Sequence, residues 1–294
     1  MKDRIDQLIE ERAPWLFTSR PGVRLLRKCL NRLLSYNSAL SLSLTFQDMP
    51  SEDIMSTMVD RLAHRVDVKG LDNVPLQGPA LIVSNHPTGI ADGIILHHVL
   101  APLRPDLYIF ANSDMLRVLP QMTDRIAPVE WREEKRSRAK TRETMVYVRK
   151  AVDKDRLGVI FPSGRLAFRR GLGLHERPWM TSAAALARRY NLPVIPIHIT
   201  ARNSVLFYFL DLIHPTLRDI SLFHETLNKG RQPFKIRVGH LIPPGKLPID
   251  PVLATEELRR VTLALGDGHD RTISLLTAPS WRYLMKSFKD APPA

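Results

Sequence analysis

The amino-acid sequence predicts an α/β fold, a mixed and largely parallel sheet flanked by helices, preceded by a basic amphipathic helical segment. Three observations carry this prediction. From about residue 64 onward, short apolar runs alternate with segments of helical periodicity, the pattern of strands joined by crossover helices. The chain has 294 residues, 44% of them hydrophobic, enough to bury a sizeable core without staples. From Arg12 to Gln47 stand six cations (Arg12, Arg20, Arg24, Arg27, Lys28, Arg32) and no acid, unlike the rest of the chain. The expected organisation is an N-terminal basic segment over residues 1–48, the main domain over 49–270 and a frayed tail over 271–294.

In chain order, Pro21 and Gly22 punctuate the basic segment. Val23, Leu26, Leu30 and Leu33 then recur at three- and four-residue steps, with Arg24, Arg27, Lys28 and Arg32 off that stripe, which predicts an amphipathic helix. Its stripe either packs on the domain or lies on a membrane surface. Ala80–Val83 follows Gly78-Pro79 and reads as a buried strand; Leu107–Phe110 and Leu157–Phe161 are the second and third. Val194–Ile199 is the fourth, although Pro196 demotes it to an edge or bulged strand. Phe234, Ile236 and Val238 alternate with Lys235 and Arg237, giving a fifth that is wet on one side. Helices are expected over Arg138–Val152, over Ala183–Tyr190 behind a Thr181 or Ser182 cap, and over residues 255–265 behind Thr255.

Charge and cysteine content narrow the function. With 43 Lys+Arg against 30 Asp+Glu, the net charge of +13 points to an acidic partner: nucleic acid, an anionic membrane surface or an acidic carrier protein. Nucleic acid is not expected, because aromatics are only 7% and neither a zinc finger nor a recognition helix is present. The single Cys29 excludes an intramolecular disulfide framework and a cysteine zinc site, and fits a reducing compartment. No stretch reaches 18 consecutive apolar residues, and the start Met1-Lys2-Asp3-Arg4-Ile5-Asp6 lacks the apolar core of a signal peptide. An intracellular protein, not integral to a membrane, is expected.

Ligands of open α/β sheets sit beyond the carboxyl ends of the strands, so the residues after each apolar run matter most. Ser84 to Gly93 follows the first, with His86, Pro87, Gly89 and Asp92; Pro162 to Arg170 follows the third, with Ser163, Gly164, Arg165, Arg169 and Arg170; Thr200 to Ser204 follows the fourth, with Arg202 and Asn203. A His and an Asp six positions apart are weak evidence alone. Pro87 and Gly89, however, build a bend that lets the carboxylate reach the ring. A carboxylate on Nδ1–H fixes the tautomer and leaves Nε2 free to take a proton from a hydroxyl. No serine stands in a nucleophile elbow, so the pair suits direct transfer to a substrate hydroxyl.

The run Asn85-His86-Pro87-Thr88-Gly89-Ile90-Ala91-Asp92-Gly93 resembles the first motif of the glycerolipid (lysophospholipid) acyltransferase superfamily. Five residues separate the His and the Asp where the commonest form has four, as in the hemolysin-like branch. Phe161-Pro162-Ser163-Gly164 resembles the third motif and Val194-Ile195-Pro196-Ile197 the fourth; Arg202-Asn203-Ser204, Leu206-Phe207-Tyr208 and Trp179 resemble that branch in particular. The resemblance covers roughly residues 65–245. It implies transfer of a fatty acyl group from a thioester, on coenzyme A or acyl carrier protein, to a lipid hydroxyl, with no cofactor and no metal. His86 would be the general base and Asp92 its orienting partner. Arg165, Arg169, Arg170 and Arg202 would form a basic floor for an anionic head group. Asn85, Gly89, Ser163, Gly164 and Asn203 would complete the substrate-binding set, with the turns at Gly89 or Gly164 offering N–H groups to the oxyanion. Ser163 and Arg165 depart from the common third motif, Phe-Pro-Glu-Gly followed by Thr-Arg, which leaves lysophosphatidic acid, a lyso-ornithine lipid or another lysolipid as acceptor.

The resulting expectation is an acyltransferase peripheral to the cytoplasmic face of a membrane. Its rivals are a non-catalytic binder of anionic lipid surfaces on the same fold, a nucleic-acid binder and a serine hydrolase. Four other features carry bland expectations. His97 and His98 fall on a helix where adjacent positions face apart; the Gly266–Asp270 loop lacks a ligand set; Glu130–Glu143 reads as a solvated face; Leu206–Leu210 reads as core or acyl-tunnel lining.

Overall fold

The computed structural model describes residues 1–130, 132, 135–266 and 272–274. Seven strands form one sheet in the order β1 (Val66–Lys69), β9 (Phe234–Val238), β8 (Val194–Thr200), β2 (Ala80–Ser84), β5 (Leu157–Ile160), β3 (Tyr108–Asn112), β4 (Ile126–Val129). Every neighbouring pair is parallel except β8–β9, so β1 and β9 run against the other five. This is the mixed, largely parallel sheet that the alternation predicts. A smaller antiparallel sheet joins β6 (Phe168–Arg170), β7 (Gly173–His175) and β10 (Thr272–Ser274).

The main sheet divides two layers of helices. Ile82 of β2 belongs to the cluster that takes in α1 (Lys2–Arg12), α4 (Ser51–Leu62) and α5 (Ile90–Leu100). Its neighbours Leu81 and Val83 belong to the opposite cluster, with α7 (Arg138–Val152), α8 (Ser182–Arg189) and α11 (Pro251–Ala264). The period of two sends successive side chains to opposite faces, and helices on both faces bury all five residues of β2. That is why the strand reads as an unbroken apolar run.

Two expectations need correction, and of the two alternatives for β8, edge or bulge, the bulge holds: the strand lies inside the sheet. Its register against β9 slips by one residue between Ile197↔Val238 and Val194↔Ile242, and Pro196 sits within the slip, accepting from Gly239 N–H at 2.8 Å. A bulge asks nothing of the missing N–H, so the proline is tolerated there. The last helix starts at Pro251, not at 255. The Asp250 carboxylate caps it, accepting from Val252 N–H at 2.6 Å and Leu253 N–H at 3.1 Å, while the Thr255 hydroxyl donates back to Pro251 O. Glu130 is not solvated. Burial alone would raise its carboxyl, but bonds from Lys140 and Arg132 outweigh it and hold the group at about 2.

The basic amphipathic helix is α2 (Pro21–Leu33). Leu30 is buried with Leu34, Leu210 of α9 (Val205–Ile213) and Leu217 of α10 (Pro215–Leu227). Leu26 and Leu33 of the same stripe remain 44% and 49% exposed, and on α9 Val205, Phe209, Leu212 and Ile213 are exposed as well. Among the described residues no helix is long and apolar enough to cross a membrane. Residues 267–270 and the C-terminal tail, apart from 272–274, lie outside the described residues.

Candidate active site

β2 lies between β8 and β5, so the loops that follow these three strands leave the sheet side by side. His86 stands just beyond β2 and Asp92 in the first turn of α5. Gly89 joins them at φ +90° and ψ −128°, where a Cβ is strained, and a side chain there would meet Leu166 Cδ2 at 3.1 Å. This bend folds Asp92 back on the loop. Its carboxylate accepts from Thr88 N–H at 2.8 Å, Gly89 N–H at 3.0 Å and the Thr88 hydroxyl at 2.5 Å, and is fully buried.

His86 Nδ1 lies 2.9 Å from Asp92 Oδ2, with the ring N–H directed off the line between them. Such bonds commonly straighten only when substrate is bound. The ring stacks on Phe161 at 4.2 Å and 25°, which fixes its plane, and His86 lines the cavity. The structure thus brings together the two residues that the sequence pairs across a Pro-Gly bend.

The backbone of His86 is clamped from below. Its N–H donates to Glu176 Oε2 at 3.2 Å, and its carbonyl accepts from Ala167 N–H at 2.9 Å. Glu176 is buried, and its Oε1 accepts from Trp179 Nε1–H at 3.0 Å. Burial pushes the Glu176 carboxyl above its ordinary value, against the pull of the His86 and Trp179 bonds. Ser163 Oγ stands between this carboxyl and the Arg165 carbonyl, 2.8 Å from the latter. A buried carboxylate thus stands beside Ser163, from a residue thirteen places on. Sequence reading passed over Glu176 because no motif marks it; the signal was an acid three residues before a tryptophan, next to a strand too short to recognise.

Other expected binding residues have different duties. The Asn85 side chain donates to Ile199 O at 2.9 Å and accepts from Ile199 N–H at 2.7 Å, continuing the β2–β8 ladder as a backbone would. Gly89 N–H goes to Asp92, and Gly164 N–H, at φ +61°, to Phe161 O at 2.9 Å, so neither glycine offers its own N–H to an oxyanion. Arg169 and Arg170 lie on β6, where Arg169 donates to Gly171 O at 2.9 Å, and neither lines the cavity. Arg202 and Asn203 do not reach it either. The chain after β8 is drawn toward α9 and α10, where Asn203 N–H donates to Tyr208 Oη at 3.0 Å and Ser204 N–H to Glu225 at 2.7 Å. In the Leu206–Leu210 run, all but the exposed Phe209 pack in the core clusters, and the run is likewise absent from the cavity wall.

Of the expected basic floor, Arg165 alone lines the cavity; Arg177 and Arg218, which sequence reading missed, are among the other cations of its wall. Arg177 donates to Leu166 O at 2.9 Å; Arg218 pairs with Asp211 at 3.1 Å and Asp219 at 2.8 Å. Burial, then repulsion from Arg218 and Arg165, lowers the pKa of the Arg177 guanidinium. Three guanidinium groups close enough to disturb one another make a site that an anion would stabilise. They come from a β-turn, the segment after β7 and α10, so no local pattern links them. The cavity they open into measures about 1030 Å³ and continues past His86 between α1, α2, α3 (Tyr36–Thr45), α4 and α5, along walls that include Leu8, Leu42, Met55, Ile94 and Leu119.

The sequence profile described as Acyltransferase matches residues 65–200. Over 197 residues, 65% of this chain and 69% of the relative, the sequence is 25% identical to the lyso-glycine lipid O-acyltransferase of Phocaeicola vulgatus. It is also 25% identical over 164 residues to the lyso-glycine lipid O-acyltransferase of Bacteroides thetaiotaomicron, a match that spans 56% of this chain and 58% of that relative. Among solved structures, the crystal structure of the 1-acyl-sn-glycerophosphate acyltransferase PlsC from Thermotoga maritima aligns over 92% of this chain and 99% of its own, with a TM-score of 0.47 and 11% identity. The profile match begins just before β1, ends with β8, and contains His86, Asp92, Arg165 and Glu176; over residues 65–200 the chain is similar to the acyltransferase family.

Proposed function

We propose that the protein transfers a fatty acyl group from an acyl thioester, on coenzyme A or acyl carrier protein, to the hydroxyl of an anionic lysolipid. One observation carries the reading: a His–Asp pair stands where a three-arginine cluster meets a long apolar cavity. His86 Nε2 takes the proton of the acceptor hydroxyl as its oxygen attacks the thioester carbonyl, and Asp92 stabilises the resulting imidazolium. That attack forms the new C–O bond; collapse of the tetrahedral intermediate re-forms the carbonyl, breaks the C–S bond and returns the proton from His86 to the leaving thiolate. Arg165, Arg177 and Arg218 hold the acceptor's anionic head group, and the apolar cavity holds acyl chain. The relatives named for lyso-glycine lipid support a lysolipid acceptor of that kind, beside lysophosphatidic acid or a lyso-ornithine lipid.

The five residues between His86 and Asp92 and the serine in the third motif support membership of the hemolysin-like branch. The exposed leucines and cations of α2, packed beside the exposed apolar face of α9, support work at an anionic bilayer surface, on its cytoplasmic side. The test is transfer by the purified protein from acyl-coenzyme A or acyl carrier protein to each of the three lysolipids, presented in vesicles. Thiol release matched mole for mole by diacyl product is expected, faster in anionic than in zwitterionic vesicles and losing that advantage at high salt. Release of no product from any donor–acceptor pair would sink the reading.

The arginine cluster makes a separate prediction. Arg177→Ala should raise KM for the anionic acceptor about 10-fold, the worth of one charge-assisted bond, with a small change in kcat. A lysolipid of no net charge should feel the change much less; equal effects on both acceptors would show that Arg177 does not read the head group.

A further inference from the structure

Helix α5 turns one stripe toward the cavity: Ile90, Gly93, Ile94 and His97 all line it, at the spacing of a single helical face. The stripe starts beside the catalytic pair, because Asp92 lies in the same first turn. It ends about 10 Å further along the axis at an imidazole. Gly93 leaves a shallow groove between, where the nearest atom to a Cβ would be Ile109 Cδ1 at 3.6 Å. His97 is 5% exposed, and its buried Nε2 has no hydrogen-bond partner.

A histidine that merely fills a core bonds its neighbours. Burial and then the charge of Arg125, itself paired with Glu52, push the His97 pKa down, so the ring is neutral and keeps one donor and one acceptor. A buried ring nitrogen left unpaired destabilises the fold and calls for a partner that arrives with water or ligand. The two preceding side chains of the stripe are aliphatic, and an unsubstituted acyl chain in the groove would supply no such partner.

We propose that His97 is a binding subsite for an oxygen carried by the chain that occupies the cavity, so that the protein takes a mid-chain hydroxylated fatty acyl group in preference to an unsubstituted one. The proposal rests on the acyltransferase reading above. The hydroxylated chain belongs either to the thioester donor or to the lysolipid acceptor, which the two arms of the test separate.

In the first arm, the full-length protein receives equimolar pairs of hexadecanoyl-coenzyme A and a hydroxyhexadecanoyl-coenzyme A, the hydroxyl being walked along the chain, with a plain lysolipid. In the second arm the donor is plain and the lysolipid's own chain carries the hydroxyl. Product ratios by mass spectrometry are the reading. One mid-chain position in one arm should win by about tenfold, the worth of one net hydrogen bond. The ratio should fall to near one in His97→Phe and His97→Leu and be partly kept in His97→Gln, which retains a donor and an acceptor. A wild-type ratio near one at every position in both arms overturns the proposal, as does a preference that survives His97→Phe. Absence of transfer from every donor overturns the acyltransferase reading, and this subsite with it.

Discussion

Asp92→Asn should lower kcat by about 10³- to 10⁴-fold with a small change in KM, and His86→Ala should lower it to a similar floor. A positioned general base contributes about 10²–10⁴-fold, and the corresponding Asp→Asn change in a serine protease triad costs about 10⁴. The geometry explains why an isosteric change is so costly. The Asp92 carboxylate faces donors on every side: two backbone N–H groups, the Thr88 hydroxyl and the His86 ring. Oδ2 faces both the bend N–H groups and the ring, while Oδ1 faces the Thr88 hydroxyl, so an amide sets its NH2 in one place or the other. In the Oδ2 place, it asks Nδ1 to accept, which moves the proton to Nε2 and removes the base, and it leaves two backbone N–H donors facing a third, a loss of about 1–3 kcal/mol in a buried site. In the Oδ1 place, the contacts survive but the negative charge that stabilises the imidazolium is gone. The double variant should be no slower than the worse single one, because the two residues act as a unit. Single-turnover rates on folded protein, checked by near-UV circular dichroism, decide the matter. Either single variant with wild-type turnover would remove His86 and Asp92 from the chemistry.

What the sequence made legible, and what it hid, follows from how local each signal is. β2 is a continuous apolar run because it is buried on both faces, and the bend after it needs a glycine at φ +90°, so both ends of the His86–Asp92 contact lie within one short segment. β1 and β4 escaped notice because they form the two edges of the sheet. Val66-Asp67-Val68-Lys69 is short and half charged, and Pro128 sits in β4, where an edge tolerates a residue that cannot donate. Asn85 reads like a site residue because polar side chains after a strand often are; only the register of β2 against β8 reveals that both ends of its amide pair with Ile199. The arginine cluster was the hardest to see. Charge alone gives no direction, and Arg169-Arg170 beside the motif turn is a more conspicuous pair than Arg177 and Arg218. The β6–β7 hairpin carries the conspicuous pair off the cavity, while the chain returning from it and α10 bring the other two onto its wall.

Glu176→Gln should lower kcat by about 10²-fold with little change in KM, while Trp179→Phe should be milder. The carboxylate serves two donors at once, the His86 N–H at 3.2 Å and the Trp179 indole N–H at 3.0 Å. Glutamine can satisfy one and must present an NH2 group to the other. If the His86 side loses, the loop that carries the base relaxes away from Asp92, and a misplacement of about 1 Å is enough for a 10²-fold loss. Trp179→Phe removes a donor instead, so the His86 contact survives. The role assigned to Glu176 is positioning, because its carboxylate touches main chain rather than substrate, and stability supplies an independent check. Its pKa is raised in the fold, chiefly by burial, so the folded state binds the proton more tightly than the unfolded chain does. That contribution is fully present below the ordinary glutamate value near 4.5 and is lost as pH rises through the higher folded value. Glu176→Gln cannot titrate, so denaturant unfolding between pH 4 and 8 should show a decline in the wild type that is flatter in the variant. Wild-type kcat in Glu176→Gln would mean that the clamp under His86 has no part in catalysis. Parallel pH slopes would mean that the buried carboxyl does not hold its proton more tightly in the fold, and a rise in KM as large as the fall in kcat would mean that the change disturbs acceptor binding rather than the base.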